Sequence, residues 1–259
     1  MANEVVDKKD FGLMLTEKLS MENVASALPE GFNRARFVQN CIAYLNDNAA
    51  TYKKYSPTTI MAGLLKGAYL NLDAMSQEYY LIPYGDRLNF QTSYKGQIKL
   101  VKRYSTRKIR DIYAKVIRQG DEFSESIVNG VQTFSFVPKP LNNAEIIGAF
   151  AVIVYEDGSI TYDVMNREEI DNTRKHSKAA NSGAWKDFFS EMAKKTVLRR
   201  LCKYVDIEFS TAEQQSIYTE EAAIETDPVK ENEIIVEAEA NTVDFEEFDT
   251  DESGDPKCS

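Results

Sequence analysis

Histidine and cysteine are scarce in this sequence of 259 residues. The single histidine is His176, and the three cysteines, Cys41, Cys202 and Cys258, are far apart. Zinc motifs and disulfide frameworks need several such residues at short, regular spacings. The sequence therefore excludes both, and we expect a protein of a reducing compartment such as the cytoplasm.

Long hydrophobic runs are also missing. No apolar segment approaches the roughly 20 residues that a membrane-spanning helix requires. The first ten residues are polar and have no signal-peptide pattern, so we expect no secretion. Hydrophobic residues nevertheless make up 43% of the chain and aromatic residues 11%, which is typical of a folded globular protein.

Motifs for bond-making or bond-breaking chemistry are absent too. The segment 63–67 has the wrong residue order for a phosphate-binding loop, so we expect no nucleotide-hydrolysing motor. His176 has no serine or cysteine nucleophile motif beside it. Carboxylate pairs such as Asp121-Glu122 adjoin turns or helix starts, where acids have structural roles. We therefore expect no catalytic residue and no metal site.

The net charge of −10 conceals two opposite regions. Residues 213–259 contain 16 acidic and two basic residues, whereas residues 1–212 have a balance of +4. Residues 95–118 contain nine basic residues and one acidic residue, and residues 174–203 contain nine and two. Two such clusters are the electrostatic footprint of a polyanion-binding surface. By charge alone, two solvated helix faces explain them equally well.

Hydrophobic periodicity predicts an α+β fold with a mostly antiparallel sheet flanked by helices. Helices are predicted to begin after Asn33 and Ser56, and others to cover 94–104, 167–175, 185–205 and 212–223. Strands are predicted over 79–84, 87–92, 109–118, 133–137, 145–155 and 159–165.

Two of these helices segregate their positive charge. On a helical wheel, one arc of the helix 94–104 holds all four of its cations: Lys95, Lys99, Lys102 and Arg103. Along the helix 185–205, cations recur every four residues at Lys195, Arg199 and Lys203. Such a row can line a groove, and a helix that changes neighbours along its length would show the same pattern.

Several segments resemble the RecT family of phage single-strand annealing proteins. They run in order between about residues 56 and 208 and are specific only when taken together. The matching segments are 79–85, 89–91, 93–96, 98–103, 120–123, 162–165, 174–178, Trp185, 191–196 and 199–204. The chain departs from the family pattern at Asn71-Leu72 and Tyr104-Ser105, and both departures lie at the ends of predicted elements.

The resemblance implies an ATP-independent recombinase that coats single-stranded DNA and anneals complementary strands, with no cofactor and with Mg²⁺ at most as a counterion to DNA. It implies a homo-oligomer, a ring or helical filament, that holds single-stranded DNA and the annealed duplex in a basic groove. A phage exonuclease and the host single-strand-binding protein are the implied partners. The implied location is the cytoplasm of a bacterial host that carries the phage or prophage.

The resemblance also implies which cations contact DNA. They are Lys95, Lys102, Arg103, Lys175, Lys178, Lys194, Lys195, Arg199, Arg200 and Lys203. Charge alone adds Lys99, Arg107, Lys108 and Arg110. The aromatic candidates for base stacking or groove lining are Phe90, Tyr94, Tyr104 and Trp185. A passive single-strand-binding protein and a metal-dependent nuclease remain as alternatives.

Three parts are expected along the chain. Residues 1–32 show little periodicity and are expected to be an N-terminal arm, either a short helix or a mobile segment, that serves oligomerisation. Residues 33–212 are expected to be the RecT-like DNA-binding and annealing core. Residues 213–259 form an acidic tail that is expected to be disordered past its first helix. Its charge suggests that it docks a partner or folds back over the basic groove.

Overall fold

A computed structural model describes residues 8–175 and 184–224, and it confirms the α+β class. The helices are α1 (Lys8–Ser20), α2 (Glu22–Ala25), α3 (Arg34–Asp47), α4 (Ala49–Tyr52), α5 (Pro57–Leu70), α6 (Tyr94–Tyr104), α7 (Arg167–Lys175), α8 (Ala184–Asp187), α9 (Phe189–Cys202) and α10 (Ala212–Ile224). The strands are β1 (Tyr79–Tyr84), β2 (Arg87–Thr92), β3 (Ile109–Arg118), β4 (Glu122–Val128), β5 (Val131–Val137), β6 (Ile146–Tyr155) and β7 (Ile160–Asn166).

Helix starts follow the capping residues that the sequence predicts. The Asn33 side chain accepts a hydrogen bond from the backbone N–H of Arg36 at 3.0 Å, so α3 begins where predicted. At α7, the Asn166 side chain accepts from the N–H of Glu169 at 2.9 Å. The Glu169 carboxylate in turn accepts from the N–H of Asn166 at 2.8 Å. This reciprocal pair is a capping box, and α7 begins at Arg167 as the sequence predicts.

The strand pairings among the described residues are all antiparallel. β1 and β2 form one hairpin, β4 and β5 form another, and β6 lies between β3 and β7 in a three-stranded sheet. The strand β4 is not predicted from the sequence. Its side chains are mostly exposed and do not alternate between apolar and polar, so it carries little of the signal of a half-buried strand.

One hydrophobic core joins α1, α3 and α5 to the β1–β2 hairpin. Phe11, Leu15 and Leu19 are spaced by four, which places them on one face of α1, and all three are buried there. From residue 8 onward the N-terminal segment therefore forms a helix, one of the two forms expected from the sequence, and the apolar face of this helix belongs to the core.

A second core lies between one face of the three-stranded sheet and the helices α6 and α9. Trp185, Ile153 and Leu201 are fully buried in it. The opposite face of the sheet is covered by the β4–β5 hairpin. There the ring of Phe150 packs against Phe134 and Phe136, with centroid distances of 5.1 and 4.9 Å. The central strand β6 is thus buried on both faces.

The predicted helix 185–205 is two helices in the structure. The backbone of Phe188, with φ −131° and ψ 45°, leaves the helical region and separates α8 from α9. Fully buried Trp185 anchors α8, while α9 begins at Phe189.

The predicted helix near 212–223 is confirmed as α10 and packs on α5. Ile217 is buried, and the Gln214 side chain donates to the backbone oxygen of Tyr69 at 2.9 Å and to the Tyr104 hydroxyl at 3.1 Å. The helix that the sequence places at the start of the acidic tail is therefore packed on the core. None of the helices in the described part of the chain has both the length and the apolar character needed to cross a bilayer.

Gly96 sets the position of α6 against the preceding chain. A Cβ atom at this residue would lie 1.9 Å from the backbone oxygen of Glu78, far inside any permitted contact. Ser93 caps the helix by accepting from the N–H of Gly96 at 3.2 Å. The residues Ser93 and Gly96, both part of a matched segment, therefore have structural reasons to be serine and glycine.

The substitution Gly96→Ala should lower the free energy of unfolding by about 3 kcal/mol or more, because the obstacle is backbone rather than a movable side chain. Gly12→Ala in α1 is the matched control. Its Cβ would meet only the Cδ1 tip of Ile42, at 2.9 Å. Its stability should change by less than about 1 kcal/mol, since alanine also favours the helix. Urea unfolding followed by circular dichroism measures both, and equal losses would contradict the role of Gly96.

Candidate nucleic-acid interface

The two basic clusters of the sequence meet where α6 packs on α9. The Nζ atom of Lys195 on α9 lies 5.2 Å from the ring centroid of Tyr94, the first residue of α6. Val101 of α6 is buried in the core that α9 contributes to. Beyond the two helices, Ser105 and Ile207 form an isolated β-bridge. Tertiary packing thus places cations that are about 100 residues apart in sequence on one joined surface.

The burial pattern of α6 confirms the segregation seen on the helical wheel. Its buried positions are Gly96, Gln97, Leu100, Val101 and Tyr104. Lys102 and Arg103 are exposed, and both lie in the last turn, where positive charge also favours the helix dipole. Arg103 makes one long hydrogen bond to the backbone oxygen of Glu30, at 3.4 Å. Both charges are therefore open to solvent.

The other two cations of α6 have protein partners. The Lys99 ammonium group lies 2.6 Å from the Glu78 carboxylate. Lys95 donates to the Gln77 side-chain oxygen at 3.3 Å. Both lysines are half-buried and are bound to the segment that leads into β1. They contribute positive charge to the surface, but their side chains are held by these contacts, whereas the Lys102 side chain is exposed.

On α9, Lys194 and Arg200 each have 31% of their side-chain surface exposed, whereas Arg199 is buried. Lys194 and Lys195 are half-buried, and Lys203, which follows the helix, is exposed. Lys194 is paired with Glu191, one turn earlier, at 2.5 Å. Lys195 lies over the Tyr94 ring. These three lysines extend the cationic surface of α6 across the neighbouring helix.

Arg199 is buried, with 9% of its surface exposed. Its guanidinium donates to the backbone oxygen of Thr92 at 2.9 Å. This contact joins α9 to the residue that precedes the cap of α6. The expected DNA contact does not fit this position, because the side chain points into the protein and has a structural partner there.

Arg200 has a structural position as well. Its guanidinium is hydrogen-bonded to both carboxylate oxygens of Asp163 on β7, and it donates to Glu169 on α7 at 3.0 Å. It also donates to the backbone oxygen of Val164 at 2.6 Å. The hydrogen bonds with Asp163 raise the pKa of Arg200 above its usual range. Arg200 therefore joins α9, β7 and α7, and little of its charge is left for DNA.

Apart from Lys99 on α6, the cations that charge alone suggested lie just before β3 or in its first residues. Arg107 lies over the ring of Tyr155, 3.7 Å from its centroid, and pairs with Asp157 at 3.1 Å. Hydrogen bonds from Ser159, and then from Arg107, lower the pKa of Asp157 to about 2. Lys108 lies 3.9 Å from Glu156. Arg107 and Lys108 thus face acidic partners.

The remaining predicted cations lie in three places. Arg110 is exposed on β3. Lys175 is exposed at the end of α7, where it donates to the Asn172 side chain at 3.2 Å. Lys178 lies outside the described residues. Of the predicted set, the structure thus brings together the cations of α6 and α9.

Most of the aromatic candidates are core residues. Phe90, Tyr104 and Trp185 are buried, with exposed fractions of 3%, 7% and 0%. The stacking expectation does not fit these three, because neither face of the ring is open to a base. Tyr94 is half-buried beside Lys195 and is the one of the four that borders the cationic surface.

Tyr204 is an exposed aromatic residue that the sequence reasoning missed, and it lines a cavity with residues of β4, β5 and β7. Its side chain is 67% exposed and follows Lys203 directly. The helical pattern assigned it to the apolar side of a helix extending to residue 205, whereas α9 ends at Cys202. Had the helix been predicted to end at Cys202, its periodicity would not have assigned Tyr204 to the core.

No group of three or more histidine, cysteine, aspartate or glutamate side chains within 8–175 and 184–224 is placed to hold a metal ion. Cys41 and Cys202 are buried, and burial raises the pKa of both thiols, that of Cys202 to about 12. A thiol with a raised pKa is a poor nucleophile at neutral pH. Both cysteines therefore act as apolar core residues.

An α+β core with lysine and arginine side chains clustered where two helices pack defines a class of protein suited to holding a polyanion. The sequence profile of the RecT family matches residues 35–235, most of the chain. The chain is also 28% identical to Protein RecT of Escherichia coli (strain K12) over 218 residues, which cover 80% of this chain and 79% of that protein. The chain belongs to the RecT family, whose members are DNA annealing and recombination proteins.

The contrast between Arg200 and Lys102 gives a stability prediction. Arg200→Met should lower the free energy of unfolding by about 2 kcal/mol, because Asp163 and Glu169 lose their shared partner while partly buried. Lys102→Met removes the same charge from an exposed position and should change stability by less than about 0.5 kcal/mol. Urea denaturation of the two variants measures this difference. Similar decreases in the free energy of unfolding would contradict the structural role of Arg200.

The same cluster predicts a pH dependence. Burial raises the pKa of Glu169, but hydrogen bonds from the Asn166 N–H and from Arg200 outweigh burial and lower it below its usual 4.5. The stabilisation is therefore fully present above about pH 4.5 and is lost as the pH falls through the lower folded-state pKa. Glu169→Gln should destabilise the protein at pH 7, and its difference from the unmodified chain should shrink at pH 3. If the stability difference between Glu169→Gln and the unmodified chain grows on acidification, the pKa of Glu169 is raised and not lowered.

Proposed function

We propose that this chain binds single-stranded DNA and anneals complementary strands without ATP, as an oligomer that holds the DNA in a basic groove. Membership of the RecT family supports the annealing activity. The observation that carries the choice of surface is the packing of α6 on α9, which joins the two basic clusters. The proposed contacts are the cations of that surface: Lys95, Lys102, Arg103, Lys194, Lys195 and Lys203.

Annealing makes modest chemical demands that these residues can meet. Two strands pair through their own base edges, so the protein needs to neutralise phosphates and leave those edges free. Lysine and arginine supply that neutralisation without reading sequence. No covalent bond is made or broken between the strands, so the proposal includes no catalytic residue and no cofactor, with Mg²⁺ only as a counterion to the DNA.

The wider setting of the activity is part of the proposal. Kinship with the RecT family supports a homo-oligomer, a ring or filament, that works in the cytoplasm of a bacterial host. It also supports two protein partners, a phage exonuclease that exposes single strands and the host single-strand-binding protein. The annealed duplex is the product that the groove would release.

The decisive measurement is strand pairing without nucleotide. Two complementary oligonucleotides, one carrying a donor dye and the other an acceptor, should pair faster with the protein than without it, and addition of ATP should not change the rate. Binding without acceleration would identify a passive single-strand-binding protein. Shortened labelled strands in the presence of Mg²⁺ would identify a nuclease. Either result would overturn the proposal.

The salt dependence of binding tests the surface itself. About six phosphate contacts per protomer would give a slope of log affinity against log salt near −4, a loss of roughly 300-fold between 50 and 200 mM. The double variant Lys102→Gln/Arg103→Gln should reduce that slope by about 1.4, because each lost contact removes about 0.7. Fluorescence anisotropy with a labelled oligonucleotide measures it.

The matched control for this experiment is Lys53→Gln/Lys54→Gln. It removes the same charge from exposed residues after α4, outside both basic clusters. Its salt slope should stay close to that of the unmodified chain. If the control lowers the slope as much as Lys102→Gln/Arg103→Gln does, DNA responds to net charge and not to the surface of α6 and α9.

A further inference from the structure

The end of α10 is fastened to the start of α6. Glu221 is buried, and one of its carboxylate oxygens accepts two hydrogen bonds from Thr92, from the backbone N–H and from the hydroxyl group, both at 2.6 Å. The backbone oxygen of the same Thr92 accepts from Arg199 at 2.9 Å. Thr92 precedes Ser93, the cap of α6. One residue therefore joins α10, α9 and α6.

The rest of α10 fixes its position further. Ile217 is buried against the helical core, and Gln214 is hydrogen-bonded to α5 and α6. On the outer side, Glu220 pairs with Lys66 of α5 at 2.7 Å. Glu221 lies three residues before the end of the helix at Ile224. The chain therefore leaves the described fold close to the junction of α6 and α9.

The sequence that continues from this point is strongly acidic. Residues 225–259 contain 13 acidic residues and two basic residues. Ten residues of extended chain span up to about 35 Å, whereas the 11 residues of α6 span about 16 Å. A short stretch of this segment is therefore long enough to follow the cations of α6 and α9 from its point of departure.

We infer that the segment 225–259 occupies the cationic surface of α6 and α9 when DNA is absent, and that it competes with DNA for that surface within the same chain. The inference rests on the proposed DNA-binding function of the surface. Carboxylates of the segment would take the places of phosphates beside Lys95, Lys102 and Lys195. A short tether supplies an effective concentration in the millimolar range, so weak individual contacts suffice.

The affinity test compares three proteins: the full chain, a full chain with the 13 acidic residues of 225–259 changed to their amides, and a chain that ends after Ile224. The last two should bind a labelled oligo(dT) about five- to tenfold more tightly than the first at ~50 mM salt. The difference should nearly vanish at ~500 mM salt, because screening weakens contacts between exposed charges.

A positional readout separates occupancy of this surface from a general effect of net charge. A zero-length carbodiimide reagent joins carboxylates to nearby lysines. In the free full chain it should link residues of 225–259 to Lys95, Lys102, Lys195 or Lys203, and saturating oligo(dT) should abolish these links. Lys53 and Lys54, which lie outside both basic clusters, serve as the internal control and should form few links to the segment.

The outcomes divide cleanly. Equal DNA affinity for all three proteins, or links that favour Lys53 and Lys54 or persist with DNA, would overturn the inference and leave the proposed function standing. Links formed only between two copies of the chain would overturn intramolecular competition. If none of the three proteins binds oligo(dT), the proposed function itself fails.

Discussion

Thr92 is the residue on which the arrangement of the cationic surface depends. Its carbonyl oxygen is held by Arg199, and its N–H and hydroxyl are held by Glu221, so two buried charged side chains converge on one turn of backbone. A buried charge is costly unless it is hydrogen-bonded, and these bonds engage the Arg199 guanidinium and one carboxylate oxygen of Glu221 where α6 begins. The relative placement of α6, α9 and α10, and with it the surface that we propose for DNA, follows from this junction.

The cations of the chain have two separate roles, one in holding the fold together and one in giving the surface its positive charge. Arg199 and Arg200 are used inside the protein, where a planar guanidinium with several donors can join three elements at once. Lysines, which carry a compact charge on a flexible stem, predominate at the open surface together with Arg103. The division explains how an acidic chain can present a positive face: the arginines position the helices, and the lysines supply most of the field.

Local features of the fold were predictable because local residues determine them. Caps such as Asn33 and Asn166 act within a few residues, and their helices were placed correctly. Arg199 and Thr92 are 107 positions apart. No short pattern shows that such a pair will meet. Charge clustering therefore located the surface, but tertiary contacts decided which cations remain open.

The strand β6 separates two interiors and belongs to both. Ala149, Ala151 and Ile153 face the core shared with α9, while Phe150 and Val152 face the β4–β5 hairpin. Neither interior can keep its packing if this strand loses its order. The helices of the proposed DNA surface and the β4–β5 hairpin therefore constitute one cooperative folding unit. A destabilising substitution in the core under the hairpin lowers the fraction of molecules in which the surface of α6 and α9 is folded.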